Sequence, residues 1–202
     1  MPTFNNYHLI LEEIDNTLSH LEDNDYGRFA NEVVGASRIF TAGKGRSGYV
    51  ANSFAMRLNQ LGKDASAIGE ATTPSIKEHD LLIIISGSGS TEHLRLLAEK
   101  AHSVGAKIAL ITTKKESKIG DVADTVIALP AGTKHEAEGS EQPLGSLFEQ
   151  SSLIFLDSVV IGLMDAFNIN EEAMQDNHAN FCLLYTSPSP RDRTRSRMPS
   201  SA

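Results

Sequence analysis

Residues 80–91 read DLLIIISGSGST. The run Leu81 to Ile85 has no polar face, the mark of a strand covered on both sides in a parallel sheet. At Ser86 the apolar run gives way to glycines alternating with hydroxyl residues. Leu94, Leu97, Ala98 and Ala101 then return at helical spacing, which predicts a helix over 91–104. A buried strand turning through a glycine-rich loop into an amphipathic helix is the repeating unit of an α/β fold.

The same alternation extends in both directions. Upstream, RIFTAG (38–43) is a short apolar strand ending in Gly, followed by helical period through Val50, Phe54, Leu58 and Leu61 and a weaker strand, DASAIG (64–69). Downstream, KIALITT (107–113) and DTVIALP (124–130) read as strands. Five strands are expected, at 38–42, 64–68, 80–86, 107–112 and 124–129. Strands alternating with helices imply right-handed crossovers and a five-stranded parallel sheet flanked by helices. Before the first strand, Phe4, Tyr7, Leu11, Ile14, Leu18 and Leu21 suggest a helix over 4–24, with a second over about 25–36. After the last strand comes a polar loop containing Gly132, Gly139, Pro143 and Gly145. A long helix over 146–167 and a short one over 170–180 complete the pattern. The helix at 146–167 is apolar on more than one face, which suggests a subunit interface.

Composition narrows the function. The chain has 202 residues, 18 Lys+Arg against 26 Asp+Glu, a net charge of −8 and one Cys. This fits one domain of the usual size, about 100–200 residues. A net acidic chain without a basic stripe argues against nucleic acid as the main partner. No apolar run is expected to reach the roughly 18–20 residues that a membrane span needs. The opening MPTFNNYHLILEEID lacks the basic start and long apolar stretch of a secretion signal, so a cytoplasmic location is expected. One Cys cannot form an internal disulfide, and the seven His show neither H-x-H nor H-x-x-x-H spacing, so no metal site is expected.

Composition changes after Phe181. The segment 182–202, CLLYTSPSPRDRTRSRMPSSA, holds three of the seven prolines, four Arg, one Asp and the only Cys. It has no helix or strand period, so it is expected to be a disordered tail. Its back-translation resembles a transposase sequencing adapter over 182–192 and the flow-cell end of the same adapter over 197–202. We therefore read 182–202 as non-native adapter read-through and Phe181 as a misread Leu. Residues 1–181 are then the single domain, with 14 basic and 25 acidic side chains, a net charge of −11.

In parallel α/β sheets, ligands sit beyond the carboxyl ends of the strands. Two turns there carry chemistry. Gly43-Lys44-Gly45-Arg46-Ser47-Gly48 follows a strand, opens a helix and matches G-x-G-x-x-G, and Glu70 lies 22 residues past Gly48, near where a ribose-binding acid would fall. Taken alone, that turn suggests a dinucleotide site. The second turn, Ser86-Gly87-Ser88-Gly89-Ser90-Thr91, offers four hydroxyls among two glycines at a helix start. Hydroxyls and backbone N–H groups at such a start surround a phosphate, and the helix dipole favours its charge. Neither loop has the G-K-[ST] of a nucleoside triphosphate site. The plain structural alternative, Ser90 or Thr91 merely capping the helix, accounts for one hydroxyl but not for the set. Glu149 admits two readings: the partner of Ser146 in an S-x-x-E capping box, or a carboxylate held for acid–base work. His178 is ordinarily a solvated surface residue.

These motifs resemble the SIS (sugar isomerase) domain family, through AGKGRSG (42–48), SGSGST (86–91) and the order of elements between them. EATTPSI (70–76), QPLGSLFEQ (142–150) and NHAN (177–180) narrow the resemblance to the 6-phospho-3-hexuloisomerase group, over essentially 1–181. Members of that group continue HAN with Leu-Glu, where Phe181 and Cys182 stand here. The resemblance implies a flavodoxin-like three-layer sandwich. It implies interconversion of D-arabino-3-hexulose 6-phosphate and D-fructose 6-phosphate through a cis-enediolate, without cofactor or metal. That reaction follows hexulose-phosphate synthase in the ribulose monophosphate pathway of formaldehyde fixation, and a homotetramer is expected. By the same resemblance Glu149 is the base and His178 moves the hydroxyl proton, reaching a neighbouring subunit's site. Lys44, Gly45, Arg46, Ser47, Ser86, Ser88, Ser90 and Thr91 hold the substrate and its phosphate, with Asn52 and Arg57 as weaker candidates. Three other readings compete. One is an SIS isomerase of the arabinose 5-phosphate type, and another is a non-catalytic sugar-phosphate-binding module, although 1–36 lacks the basic surface of a DNA-binding helix-turn-helix. The third is a dinucleotide enzyme using the first loop.

Overall fold

The computed structural model describes residues 4–131 and 140–179. Gly132, Gly139, Asn180, Phe181 and the tail at 182–202 lie outside the described residues. Two helices, α1 (Asn6–Leu18) and α2 (Asp23–Gly35), precede an alternation of β1 (Ile39–Gly43), α3 (Arg46–Gln60), β2 (Ala65–Ala67), β3 (Leu81–Ile85), α4 (Glu92–Ser103), β4 (Lys107–Thr112) and β5 (Thr125–Ala128). The long α5 (Ser146–Phe167) and short α6 (Glu171–Asp176) follow. The strands form one parallel sheet in the order β2-β1-β3-β4-β5. The registers place Ile39 opposite Leu81, and Leu81 opposite Lys107.

Side-chain alternation along the strands divides the core into two layers. Ile39, Ile83, Ile85, Ala109, Ile111 and Ile127 pack with Phe54 and Leu58 of α3 and Phe155, Leu156 and Val159 of α5. Phe40, Ala42, Leu82, Ile84, Ile108 and Leu110 face Leu94, Ala98 and Ala101 of α4 on the other side. The strand over Leu81–Ile85 is buried throughout, as its unbroken apolar run requires. Because α3 lies on one face and α4 on the other, the turns after β1 and β3 diverge. Such a switch point leaves a crevice beyond the carboxyl ends of the strands.

Two expectations need correction. The first helix is shorter than the 4–24 that its spacing suggests. α1 ends at Leu18, where Ser19 Oγ donates to the Asn16 carbonyl and His20 Nδ1 lies 2.6 Å from the same oxygen, local bonds that compete with continuing the helix. Its buried side is Ile14 and Thr17, with Ile10 and Leu18 partly buried, whereas Tyr7 and Leu11 are exposed and Phe4 is 89% exposed. Phe4, Tyr7 and Leu11 therefore do not belong to the core stripe that their spacing suggests. The second correction concerns α5 and the expectation that no apolar run reaches the length of a membrane span. Its 22 residues are long and apolar enough, by length and composition, to cross a membrane, yet more than half of the apolar stretch is buried inside the protein.

Candidate functional site

The first turn needs glycine for two different reasons, space at Gly43 and backbone conformation at Gly45. A Cβ on Gly43 would sit 2.6 Å from the Ser47 carbonyl oxygen, and Gly45 takes the left-handed region at φ 59°. Only glycine adopts that conformation without strain. The turn opens directly into α3, with Gly45 as N-cap, Arg46 as its first residue and Ser47 buried. Lys44 is exposed at the tip.

The second turn is braced from behind. The Gly87 carbonyl accepts from Thr112 Oγ1 at 3.1 Å, Thr113 Oγ1 at 2.8 Å and the Thr113 N–H at 3.1 Å, and the Gly89 carbonyl accepts from the Ile119 N–H at 2.9 Å. Ser86 is buried with its Oγ 3.4 Å from Thr91 Oγ1, and the Ser90 N–H donates to Ser88 Oγ at 3.3 Å. Thr91 occupies the N-cap position of α4 without a side-chain capping bond. Capping therefore does not explain the hydroxyls, and the loop keeps the character of an anion cradle at a helix start.

α5 joins the two loops. A Cβ on Gly87 would lie 3.3 Å from the Phe148 ring, so the first turn of α5 abuts the second loop. One residue on, Glu149 Oε2 lies 2.8 Å from Arg46 Nε of the first loop. The Glu149 side chain is 5% exposed and that of Arg46 57%. Arg46 Nη1 also donates to Ser146 Oγ at 3.2 Å. The capping-box reading of Ser146 and Glu149 fails here. The N-cap of α5 is Gly145, no side chain caps it, and the Glu149 N–H donates to the Gly145 carbonyl. A buried carboxylate thus faces a guanidinium between two glycine-rich turns at helix starts, a geometry that could move a proton beside a phosphate held there.

His178 stands elsewhere in the chain. It lines a groove of about 410 Å³ with Arg57, Gln60, Asp157, Ile161 and Glu171. Asp157 is eight residues beyond Glu149, about 12 Å along the helix at 1.5 Å per residue. Arg57 there donates to Gln60 Oε1 at 2.9 Å, while Asn52 and Glu70 are exposed. One chain therefore gathers Arg46, Ser47, Ser86, Ser88, Ser90, Thr91 and Glu149 around the crevice but leaves His178 and Arg57 in a separate groove.

Sequence reasoning missed the supporting residues. Thr112 and Thr113 looked like the end of a strand, and Ser146 like a cap. Gln142, quoted only as part of a motif, is buried, with its Nε2 donating to Glu13 of α1 at 2.9 Å. Only the hydroxyl character of Thr112 and Thr113 in an otherwise apolar strand end could have pointed to the bracing. Nothing local marks Glu13.

The SIS domain family matches residues 32–155. The 3-hexulose-6-phosphate isomerase of Bacillus subtilis is 42% identical over 174 residues, 85% of this chain and 94% of that protein. The protein of the same name from Methylomonas aminofaciens is 38% identical, over 85% and 96%. A crystal structure from Methanococcus jannaschii, described as inferring the function of a 3-hexulose-6-phosphate isomerase, superposes with a TM-score of 0.77 at 33% identity, covering 88% of this chain and 99% of that one. Fold, crevice and kinship agree: the chain belongs to the SIS domain family, among relatives named 3-hexulose-6-phosphate isomerase.

Proposed function

We propose that the protein interconverts D-arabino-3-hexulose 6-phosphate and D-fructose 6-phosphate. The observation that carries this reading is the buried Glu149 carboxylate, held against Arg46 between two hydroxyl-rich turns. Ser47, Ser86, Ser88, Ser90 and Thr91, with Gly45 and its neighbouring backbone N–H groups, take the phosphate at the starts of α3 and α4. Glu149 removes the C2 proton of the 3-ketose, giving a cis-enediolate across C2 and C3. Reprotonation at C3 leaves the carbonyl at C2, and the hydroxyl proton passes from O2 to O3. Arg46 and Lys44 supply positive charge for the developing enediolate. Neither metal nor redox cofactor enters this scheme.

The same proposal places the protein in the cytoplasm, after a hexulose-phosphate synthase in the ribulose monophosphate pathway. It also makes the protein a homo-oligomer, a tetramer by family resemblance. The exposed apolar side chains Tyr49 and Met56 of α3 and Ile154 and Ile161 of α5 support an interface there. The remoteness of His178 from Glu149 within one chain fits a role at a neighbouring subunit's site.

Supplying the protein with formaldehyde, ribulose 5-phosphate and a known synthase tests the reading. Fructose 6-phosphate should accumulate only when both proteins are present. Tight binding of NAD or NADP with no such product would replace the isomerase by a dinucleotide enzyme.

A further inference from the structure

α1 lies outside the α/β alternation, yet one of its side chains holds the segment that delivers Glu149. The Glu13 carboxylate accepts three hydrogen bonds from consecutive residues: from Ser140 Oγ at 2.9 Å and Gln142 Nε2 at 2.9 Å at Oε2, and from the Glu141 N–H at 2.8 Å at Oε1. Ser140 Oγ in turn accepts the Gln142 N–H at 3.0 Å. Beyond Gln142 the chain makes one tight passage into α5, where the Ser146 N–H donates to the Pro143 carbonyl and the Glu149 N–H to the Gly145 carbonyl. Within that passage Leu144 adopts φ 60°, a left-handed conformation that a branched side chain disfavours. Leu144 is also exposed, so burial of its own side chain does not hold it there. Such strain persists only where the surroundings over-determine the backbone. The fixation comes from both sides of the passage: α5 after it, and the Glu13 cluster before it.

We propose that Glu13 is a positioning residue for the isomerase reaction, fixing residues 140–145 so that the first turn of α5 presents Glu149 and Ser146 to Arg46. This inference rests on the proposed function for its catalytic consequence, but not for the anchoring itself. Hydrogen bonds to a charged acceptor are the stronger kind, and a carboxylate has the oxygens to take all three donors at once. The phosphate-binding turns are braced by β4 and by their own glycines, so loss of Glu13 should disturb the base and leave the phosphate grip in place.

The test is Glu13→Ala in the full chain, read by steady-state kinetics and by amide hydrogen exchange. We expect kcat to fall roughly 10- to 100-fold, the scale of a small misplacement at a reacting centre. KM should stay within about threefold, as an interaction outside substrate binding implies. Exchange in 141–149 should quicken by about tenfold or more, while 86–95 keeps its wild-type protection. Glu13→Gln, which keeps one acceptor oxygen, should recover part of kcat. Unchanged kcat would overturn the inference, and so would faster exchange spread evenly over the chain, which marks a merely structural residue. If the wild-type protein shows no isomerase turnover, the proposed function fails, and the exchange pattern alone then decides whether Glu13 anchors the segment.

Discussion

In the proposed reaction Glu149 transfers the proton and Ser88 helps to grip the phosphate, so the two should fail differently when substituted. Ser88→Ala removes a single hydroxyl from a turn that also offers Ser86, Ser90 and Thr91 and backbone N–H groups. We expect KM to rise severalfold with kcat nearly unchanged, as steady-state rates on the 3-hexulose 6-phosphate will read. Glu13 gives a second prediction at this scale. Burial pushes its pKa upward, but the bonds from the Glu141 N–H, Gln142 and Ser140 outweigh that and hold it below the ordinary 4.5. A carboxylate whose folded-state pKa is depressed contributes stability above its unfolded pKa, and that contribution is lost as pH falls through the lower folded value. The melting temperature of wild type should therefore exceed that of Glu13→Gln at neutral pH. The gap should close below the usual carboxylate range. A gap that persists undiminished in acid would show that the charge of Glu13 is not what holds the cluster.

Among the elements, the two turns show best how local sequence dictates shape. Gly43→Ala would drive a Cβ against the Ser47 carbonyl, which is backbone and cannot swing aside. This should destabilise the fold by about 1–3 kcal/mol, the usual scale of an overpacked position, and weaken sugar-phosphate binding in the same variant. Denaturant unfolding and ligand titration read the two effects. The turns and all five strands were legible in the sequence, because glycine spacing and unbroken apolar runs are local signals. The Leu81–Ile85 strand was the clearest, and α5 was placed to the residue. Three features were not legible. The end of α1 depends on side-chain bonds from Ser19 and His20. The pairing of Arg46 with Glu149 displaced a plausible capping box. The reach of Glu13 to residues 140–142 joins positions more than a hundred residues apart. Each depends on contacts that periodicity cannot register.

For the whole molecule, the strand order β2-β1-β3-β4-β5 puts the chemistry at the carboxyl end of the sheet and the apolar remainder of α5 along another side. Ile161 is 64% exposed and Tyr49 77%, on the helices where the subunit interface is proposed. If the protein is the homo-oligomer proposed, Ile161→Asp should shift it to smaller species in sedimentation velocity. It should also lower kcat if a neighbouring subunit lends its His178. Wild-type protein that sediments as a monomer at micromolar concentration and remains fully active would refute both.

In the proposed reaction Glu149 moves a carbon-bound proton in a 3-ketose phosphate. This step is tested most directly by NMR of D-arabino-3-hexulose 6-phosphate incubated in D2O with wild-type protein and with Glu149→Gln. Wild type should give fructose 6-phosphate carrying deuterium at C3. Glu149→Gln should turn over roughly 100- to 10,000-fold more slowly, the usual contribution of a general base, while still binding the sugar phosphate. Fructose 6-phosphate formed equally fast by the variant would remove Glu149 as the base, and none from wild type would remove the isomerase activity.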